Sequence, residues 1–144
     1  PRLLIVGARD NFRTQDSSIE KKIALIDSLY PSSIEFTGFV ENERLKQLLA
    51  KARVLVQPSL YEGFGIPPLQ ALLCGTHAVI SDIPVFKEIY KDFPVSYFRT
   101  GDSSDLYEKL RKEWLSKEEV APVPDIYSYK KTAQLVLRGL AQFN

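Results

Sequence analysis

The sequence is poor in the residues that support disulfide, redox and metal chemistry. It has one cysteine, Cys74, one histidine, His77, and no methionine. A single cysteine cannot form an internal disulfide, so the fold does not depend on an oxidising compartment. One histidine, with no cluster of carboxylates at ligand spacing, does not make a metal site. We therefore expect neither a metal ion nor any other resident cofactor.

The chain also lacks a large net charge and long apolar runs. The formal net charge of +1 gives no electrostatic reason to expect nucleic acid as a partner. No apolar run approaches the roughly 18 residues that a membrane-spanning helix needs, and no signal-peptide pattern opens the chain. We expect a cytoplasmic location, with membrane association of a longer parent protein left open. Such a parent is expected because Pro1 stands directly before a strand-like run.

What is present is the pattern of an α/β domain. Apolar residues make up 44% of the chain and charged residues 26%, as in globular proteins with a core. Short apolar or β-branched runs, each followed by a turn signal, predict five strands. They are Leu3–Val6, Ile34–Thr37, Val54–Gln57, Ala78–Ser81 and Val95–Phe98. The first, third and fourth lack polar alternation, which predicts strands covered on both faces.

Segments of helical periodicity lie between and after these strands. The predicted helices are a stripe over 19–30, a stripe over 45–52, a helix from Pro67 to Gly75, a short helix after Pro84, a helix from Asp102 that buries Leu106, Leu110 and Trp114, and a last helix over 128–143. Residues 116–125 are charged and contain proline, which predicts a loop. The alternation indicates one domain, residues 1–144, with a doubly wound, Rossmann-like parallel sheet.

Ligands bind such sheets outside the carboxyl ends of the strands. The loop after the first strand, residues 7–12, lacks the G-x-G-x-x-G pattern, so a nicotinamide or flavin cofactor is unsupported. After the third strand, Gly63 and Gly65 let the backbone approach a ligand and take positive φ. The helix that begins near Pro67 is expected to point several N–H groups, and the positive end of its dipole, back into this loop. That arrangement favours a phosphate or diphosphate.

Two polar side chains flank this loop. Glu62 can accept hydrogen bonds from the hydroxyls of a sugar attached to the phosphate, and Gln70 can bond further hydroxyls with either end of its amide. By itself the loop is equally consistent with a plain strand-to-helix turn. In that alternative, Glu62 is a solvated residue at the entry to the helix.

The segment from Pro58 to Thr76 resembles the signature of family 4 glycosyltransferases. The matching pieces are Pro58–Pro67, Leu69–Leu72 and Cys74–Thr76, with supporting matches at Phe36–Val40 and Ala78–Ser81. The resemblance covers about residues 3 to 115. It implies the second, donor-binding domain of a retaining GT-B enzyme, in which two Rossmann-like domains face each other across a cleft. It also implies that the N-terminal acceptor domain, and the strand and helix that open this domain, are missing from the chain.

The family motif is a glutamate, seven residues and a second glutamate. Glu62 matches the first, which implies a catalytic residue that contacts the donor sugar. Gln70 stands in place of the second, a carboxylate associated with the ribose hydroxyls, so donor binding is expected to weaken or change. By the same resemblance, Gly65 and Ile66 approach the diphosphate through their backbone. The implied donor-binding residues are Gly63, Phe64, Gly65, Ile66, Pro67 and Gln70, with Phe39 and Val40 lining the nucleobase.

The resemblance implies a function and leaves alternatives. It implies transfer of a sugar from a nucleoside-diphosphate sugar to a polysaccharide or glycoconjugate acceptor, with retention of configuration and without a metal. The fragment alone is expected to be inactive. A degenerate, non-catalytic nucleotide-binding or scaffold module of the same fold is the alternative, and Gln70 is its only support. A receiver-type module is disfavoured because Gly7, Pro58 and Arg99 stand where acidic residues and a lysine are needed. The sequence does not identify the nucleobase, the sugar or the acceptor.

Overall fold

A computed structural model of the chain describes residues 2–7 and 17–141. Its strands are β1 (Leu3–Ile5), β2 (Ile34–Phe36), β3 (Val54–Gln57), β4 (His77–Ser81) and β5 (Val95–Phe98). Its helices are α1 (Ser17–Leu29), α2 (Asn42–Lys51), α3 (Ile66–Leu73), α4 (Pro84–Ile89), α5 (Ser103–Leu115) and α6 (Tyr129–Ala141). The chain divides into two compact units, Pro1–Leu45 and Lys46–Asn144, which are described one at a time. The expected single domain, 1–144, stays a prediction.

The first unit contains a parallel pair of short strands. β1 pairs with β2, from Leu3 opposite Ile34 to Ile5 opposite Phe36. Leu3 is 50% exposed and Leu4 37% exposed, so the prediction that β1 is covered on both faces is wrong. Two strands of three residues offer too little surface to bury both of their own faces within one unit. The loop expected after β1 continues into residues 8–16, which lie outside the described residues.

The second unit contains a parallel sheet in the order β3-β4-β5. The central strand β4 is buried from Ala78 to Ser81, as its unbroken apolar run predicts, while β3 is half-buried. Helices α3 and α5 both pack on these strands. The core is one cluster of buried side chains: Leu72, Ala78, Ile80, Ile83, Phe86, Ile89, Tyr90 and Phe93. Half of this cluster comes from α4 and the residues that follow it.

Helix α5 begins where the sequence predicts but turns a different face inward at its end. The Asp102 carboxylate caps it by accepting hydrogen bonds from the N–H groups of Ser104 and Asp105, each at 3.0 Å. Trp114 is 48% exposed, so the prediction that α5 buries it is wrong. The inward residue is Glu113, whose carboxylate lies 2.9 Å from Nδ1 of His77. This pairing at the amino end of β4 holds His77 at the edge of the sheet opposite to the carboxyl ends of the strands.

The chain after α5 carries the last helix. Residues 116–128 form no regular helix or strand, and α6 begins at Tyr129. Tyr127, just before α6, packs onto the core by stacking its ring on Phe93 at a centroid distance of 5.7 Å. In the described part of the chain, no helix has both the length and the apolar character needed to cross a membrane.

Candidate functional site

The loop from Pro58 to Gly65 leaves the carboxyl end of β3 and enters α3. Gly65 is the N-cap of α3, with φ 78° and ψ 66°, in the left-handed region. A Cβ atom at this position would lie 2.3 Å from Cε1 of the buried Phe86. Gly65 therefore needs to be glycine for two reasons, its backbone conformation and its packing. Gly63 has neither requirement, since its φ is not positive and no atom lies within 4 Å of an added Cβ.

A buried tyrosine holds this corner, the turn around Gly65 between β3 and α3, in place. The hydroxyl of Tyr90 donates a hydrogen bond to the carbonyl oxygen of Gly65. The hydroxyl oxygen of Tyr90 in turn accepts a hydrogen bond from the N–H of Leu69 at 3.2 Å. Burial raises the pKa of Tyr90 to about 12, so the hydroxyl keeps the proton that it donates. The corner and the first turn of α3 are thereby fixed to α4 through one side chain.

The start of α3 offers fewer free donors than expected from the sequence. An α-helix leaves its first four N–H groups without partners inside the helix. Pro67 and Pro68 have no N–H, and the N–H of Leu69 is bonded to Tyr90. Of the first four helical positions, Ile66 alone keeps an N–H for a ligand. The expectation of several N–H groups pointing into the loop is corrected to this one.

Glu62 is half-buried, and its carboxylate is oriented by two donors. Its Oε1 accepts hydrogen bonds from Oγ of Ser59 at 2.7 Å and from Nε2 of Gln57 at 3.0 Å. Within the described part of the chain, Oε2 accepts no hydrogen bond from the protein. The carboxylate is therefore held at one oxygen and can accept ligand hydroxyls at the other.

The loop is also tied to the central strand. The hydroxyl of Ser81, fully buried at the end of β4, donates to the carbonyl oxygen of Ser59 at 2.6 Å. Nε2 of Gln57 reaches Oγ of Ser59 at 2.9 Å in addition to Glu62. These contacts join β3, the loop and β4 in one hydrogen-bonded network. Because every member has a partner, the network stiffens the backbone around the acidic side chain.

Sequence reasoning missed the residues that support the site. Ser59 stands three residues before Glu62 in the same loop, and this short spacing was a usable signal for a local side-chain contact. Tyr90 gave no such signal, because it lies 25 residues after Gly65, directly after helix α4. The two prolines after Ile66 are evident in the sequence. Because proline has no N–H group, they already limit the number of hydrogen bonds that the start of α3 can donate.

Most of the predicted site residues are brought together. Residues 62–67 and Gln70 lie along the loop and the first two turns of α3, where Ile66 is 54% exposed and Gln70 half-buried. Phe64 packs edge-to-face on Tyr127, with ring centroids 5.0 Å apart. Phe39 and Val40 follow β2 in the first unit, and Phe39 is 83% exposed. The role of each of these residues toward a donor stays a prediction.

The described residues bring together no set of side chains suited to a metal ion. Within 2–7 and 17–141 there is no group of three or more histidine, cysteine, aspartate or glutamate side chains that could hold a metal ion. The expected independence from metals and other cofactors remains a prediction. The chemistry visible at the corner is that of one fixed carboxylate beside backbone amides.

A parallel sheet flanked by helices, with a glycine corner at its carboxyl edge, defines a Rossmann-like α/β domain and confirms the predicted fold class. The sucrose-phosphate synthase of Thermosynechococcus elongatus has the same fold, that of a GT-B domain, with a TM-score of 0.62. The match covers 77% of this chain and 28% of that protein. At 24% sequence identity this likeness establishes the fold alone.

The chain belongs to the family described as Glycosyl transferases group 1, whose sequence model matches residues 1–131. It is 39% identical over 87 residues to the O-antigen chain mannosyltransferase RfbU of Salmonella typhimurium, covering 60% of this chain and 23% of that protein. It is 28% identical over 140 residues to the serotype-specific mannosyltransferase WbdA of Escherichia coli, covering 91% of this chain and 17% of that protein. The chain thus spans about a fifth of the length of these relatives, and the predicted glycosyltransferase membership is confirmed.

Proposed function

We propose that this chain is the donor-binding, C-terminal domain of a retaining family 4 glycosyltransferase. It binds a nucleoside-diphosphate sugar, and the whole enzyme transfers the sugar to a polysaccharide or glycoconjugate acceptor. The observation that supports this best is the carboxylate of Glu62, which Ser59 and Gln57 hold beside the Gly65 corner. Family membership supports glycosyl transfer, and this corner supports the place of the donor.

The corner fits two parts of such a donor. The free oxygen of Glu62 accepts a hydrogen bond from a sugar hydroxyl, and the carboxylate needs little rearrangement because its other oxygen is already bonded. In this proposal the backbone of Gly65 and Ile66, with the N–H of Ile66 left available, approaches the diphosphate. During transfer the bond between the anomeric carbon and the diphosphate oxygen breaks, and the acceptor oxygen bonds to the same carbon on the same face. The departing diphosphate carries the charge that the enzyme has to stabilise.

The relatives point to mannose as the sugar. RfbU and WbdA are mannosyltransferases, and a third relative is the GDP-mannose-dependent alpha-(1-6)-phosphatidylinositol dimannoside mannosyltransferase of Mycobacterium tuberculosis. That enzyme is 42% identical over 57 residues, covering 39% of this chain and 15% of the relative. We therefore propose GDP-mannose as the donor. The same proposal includes an N-terminal acceptor domain in the whole enzyme, transfer without a metal ion and a cytoplasmic location.

Gln70 supports the alternative, a non-catalytic module of the same fold. It stands where the resemblance implies a carboxylate for the ribose hydroxyls. An amide at this half-buried position can still accept one hydrogen bond and donate another. The substitution removes the charge-assisted contribution, about half of the strength of each bond, and keeps the bonding geometry available. We therefore favour altered donor binding over its loss.

The test is a titration of the 144-residue chain followed by amide chemical shifts. GDP-mannose and GDP are expected to shift the amides of residues 62–70, and UDP and ADP to bind more weakly. Glu62→Gln is expected to weaken GDP-mannose binding by roughly tenfold, the value of a hydrogen bond to a charged group, and to leave GDP binding unchanged. Glu88→Gln, on the exposed side of α4, is the matched control and should change neither.

Two outcomes decide against the proposal. If none of the nucleotides shifts residues 62–70, the scaffold alternative is correct. If Glu62→Gln and Glu88→Gln behave alike toward GDP-mannose, Glu62 does not contact the sugar. In a complete transferase that contains this chain, Glu62→Gln should also lower turnover by orders of magnitude while the fold is retained.

A further inference from the structure

A cavity away from the Glu62 loop lies at the carboxyl ends of β4 and β5, between α4 and α5. Its volume is about 460 Å³. It is lined by Asp82, Lys87, Lys91, Tyr97, Phe98, Arg99, Asp105 and Lys109. None of these residues belongs to the loop and helix that carry Glu62. The proposed donor site leaves this cavity without a role.

The two carboxylates of the lining are already bonded to the protein. Oδ1 of Asp82 accepts hydrogen bonds from the backbone N–H of Thr100 at 2.9 Å and from its hydroxyl at 2.8 Å, and Oδ2 lies 3.1 Å from Nζ of Lys87. The Thr100 backbone bond is the main reason why the pKa of Asp82 falls to about 2. Asp105 accepts the backbone N–H of Arg99 at 2.6 Å and lies 3.7 Å from its Nε. Both carboxylates therefore keep a cation of the lining as their partner.

Two lysines of the lining remain. Lys91 follows α4 and Lys109 lies on α5, so they reach the cavity from different elements. Among the residues that the structure describes, neither forms an ion pair with a carboxylate. The lining has four cationic and two anionic side chains, and Asp102, just outside it, pairs with Arg99 at 2.9 Å, so within the described residues the charge left without a partner is that of the two lysines. A concave surface of one sign concentrates ions of the opposite sign.

The rest of the lining is aromatic. Phe98 is 3% exposed, and the hydroxyl of the half-buried Tyr97 donates to the carbonyl oxygen of Phe86 at 3.1 Å, which fixes its ring. The volume lies in the range of sites for small organic ligands, roughly 300–1,000 Å³, and is larger than an inorganic ion needs. The site thus combines an apolar wall with two unpaired positive charges.

We propose that this cavity binds the phosphate monoester of a small organic molecule, with Lys91 and Lys109 on the phosphoryl oxygens and Tyr97 against the organic part. A phosphate monoester carries up to two negative charges near neutral pH, which match the charges of Lys91 and Lys109. The site is separate from the proposed donor site and does not depend on it. A soluble phosphate ester is the occupant that we favour, since the volume matches that of sites for small organic ligands.

The test uses glucose 1-phosphate and inorganic phosphate at low salt with the 144-residue chain. Both should shift the amides around Asp82, Lys91 and residues 97–99, and the ester should bind more tightly. Lys91→Gln and Lys109→Gln are each expected to weaken binding by roughly fivefold, the value of one charge pair at 4 Å in water. Lys109→Arg keeps the charge and should retain binding. Lys112→Gln, on the exposed part of α5, is the control and should bind as the unchanged chain does.

Each other outcome is decisive. If Lys112→Gln weakens binding as much as Lys91→Gln, the effect is general surface charge and the site is refuted. If GDP displaces the ester, the cavity is part of the donor site and the proposal of a separate site is wrong. If the ester does not bind but vesicles of anionic phospholipid do, the two lysine substitutions are tested on the vesicles. Loss of vesicle binding in both variants would mean that the site recognises the phosphate of a lipid headgroup. Circular dichroism of every variant verifies that it is folded.

Discussion

Replacing Gly65 with alanine perturbs the loop before α3 in two separable ways. At φ 78° an alanine is in the left-handed region, which costs about 1–2 kcal/mol. The added Cβ also lies 2.3 Å from Cε1 and 3.0 Å from Cζ of Phe86, a side chain with no exposed surface. Because Phe86 is enclosed by the core, relieving this clash should cost a further ~1–3 kcal/mol. We expect Gly65→Ala to lower the free energy of unfolding by about 2–5 kcal/mol in total.

Two other glycines separate these contributions. Gly75 has φ 77° and no atom within 4 Å of an added Cβ, so Gly75→Ala should cost only the backbone part, about 1–2 kcal/mol. Gly63 has neither feature, and Gly63→Ala should change the free energy of unfolding by less than about 0.5 kcal/mol. The difference between the Gly65 and Gly75 variants measures the contact with Phe86 alone.

The assay is urea unfolding followed by the fluorescence of Trp114, which lies on α5 in the same compact unit as these three glycines. In a thermal scan, each kcal/mol corresponds to roughly 2–4 °C in Tm for a chain of this size. The order of stability should be Gly63→Ala, then Gly75→Ala, then Gly65→Ala. Equal values for the last two would mean that Phe86 moves aside without cost, and the argument from packing would be wrong.

Two further predictions concern single polar contacts. Tyr90→Phe removes the hydroxyl between Gly65 and the N–H of Leu69 and keeps the ring, so we expect a loss of about 1–3 kcal/mol in the urea assay and faster hydrogen exchange at Leu69. Asp82→Asn removes a carboxylate whose pKa the Thr100 backbone lowers to about 2. Because that pKa lies below the unfolded value of about 4, the stabilisation is complete above pH ~4 and is lost as the pH falls through about 2. The stability difference between the unchanged chain and this variant should therefore shrink across that window, in urea titrations at a series of pH values.

Matched variants guard against general effects of these substitutions. Tyr107 is 62% exposed on α5, and Tyr107→Phe should leave both stability and exchange unchanged. If Tyr90→Phe is as stable as the unchanged chain, the bridging hydroxyl does not hold the loop. Asp92→Asn, at an exposed position after α4, is the control for the pH series. A stability difference for Asp82→Asn that is constant from pH ~6 to ~2 contradicts its assigned pKa.

Local patterns were sufficient to predict the regular elements. The bounds of Val54–Gln57 and Val95–Phe98 agree with the structure because unbroken apolar runs end there at turn residues. Pro84 and Asp102 mark the start of α4 and α5 because each restricts or caps the first turn. The turn at Gly65 could also be predicted, because it depends on residues that are close to it in the sequence. These features depend on a few neighbours in sequence.

Features that depend on distant contacts were not predictable. Trp114 and Glu113 are adjacent, and the sequence favours burying the tryptophan, but the partners of Glu113 on β4 and β5 reverse the choice. The link from Tyr90 to Gly65 likewise depends on how α4 packs beside α3. Strand β1 is exposed because the first unit supplies few residues to cover it. In each case the deciding atoms lie on another element.

The site itself limits how a donor can be held. Residues 57–73 contain no lysine, arginine or histidine, and the start of α3 contributes only the N–H of Ile66. A diphosphate at this corner would therefore meet few donors. The positive charge that balances a diphosphate has to come from residues outside this segment, since backbone amides alone supply partial charges. Under the proposed function, this corner therefore contributes mainly recognition of the sugar through Glu62, and binding of GDP to the chain alone should be weak compared with binding to a complete enzyme.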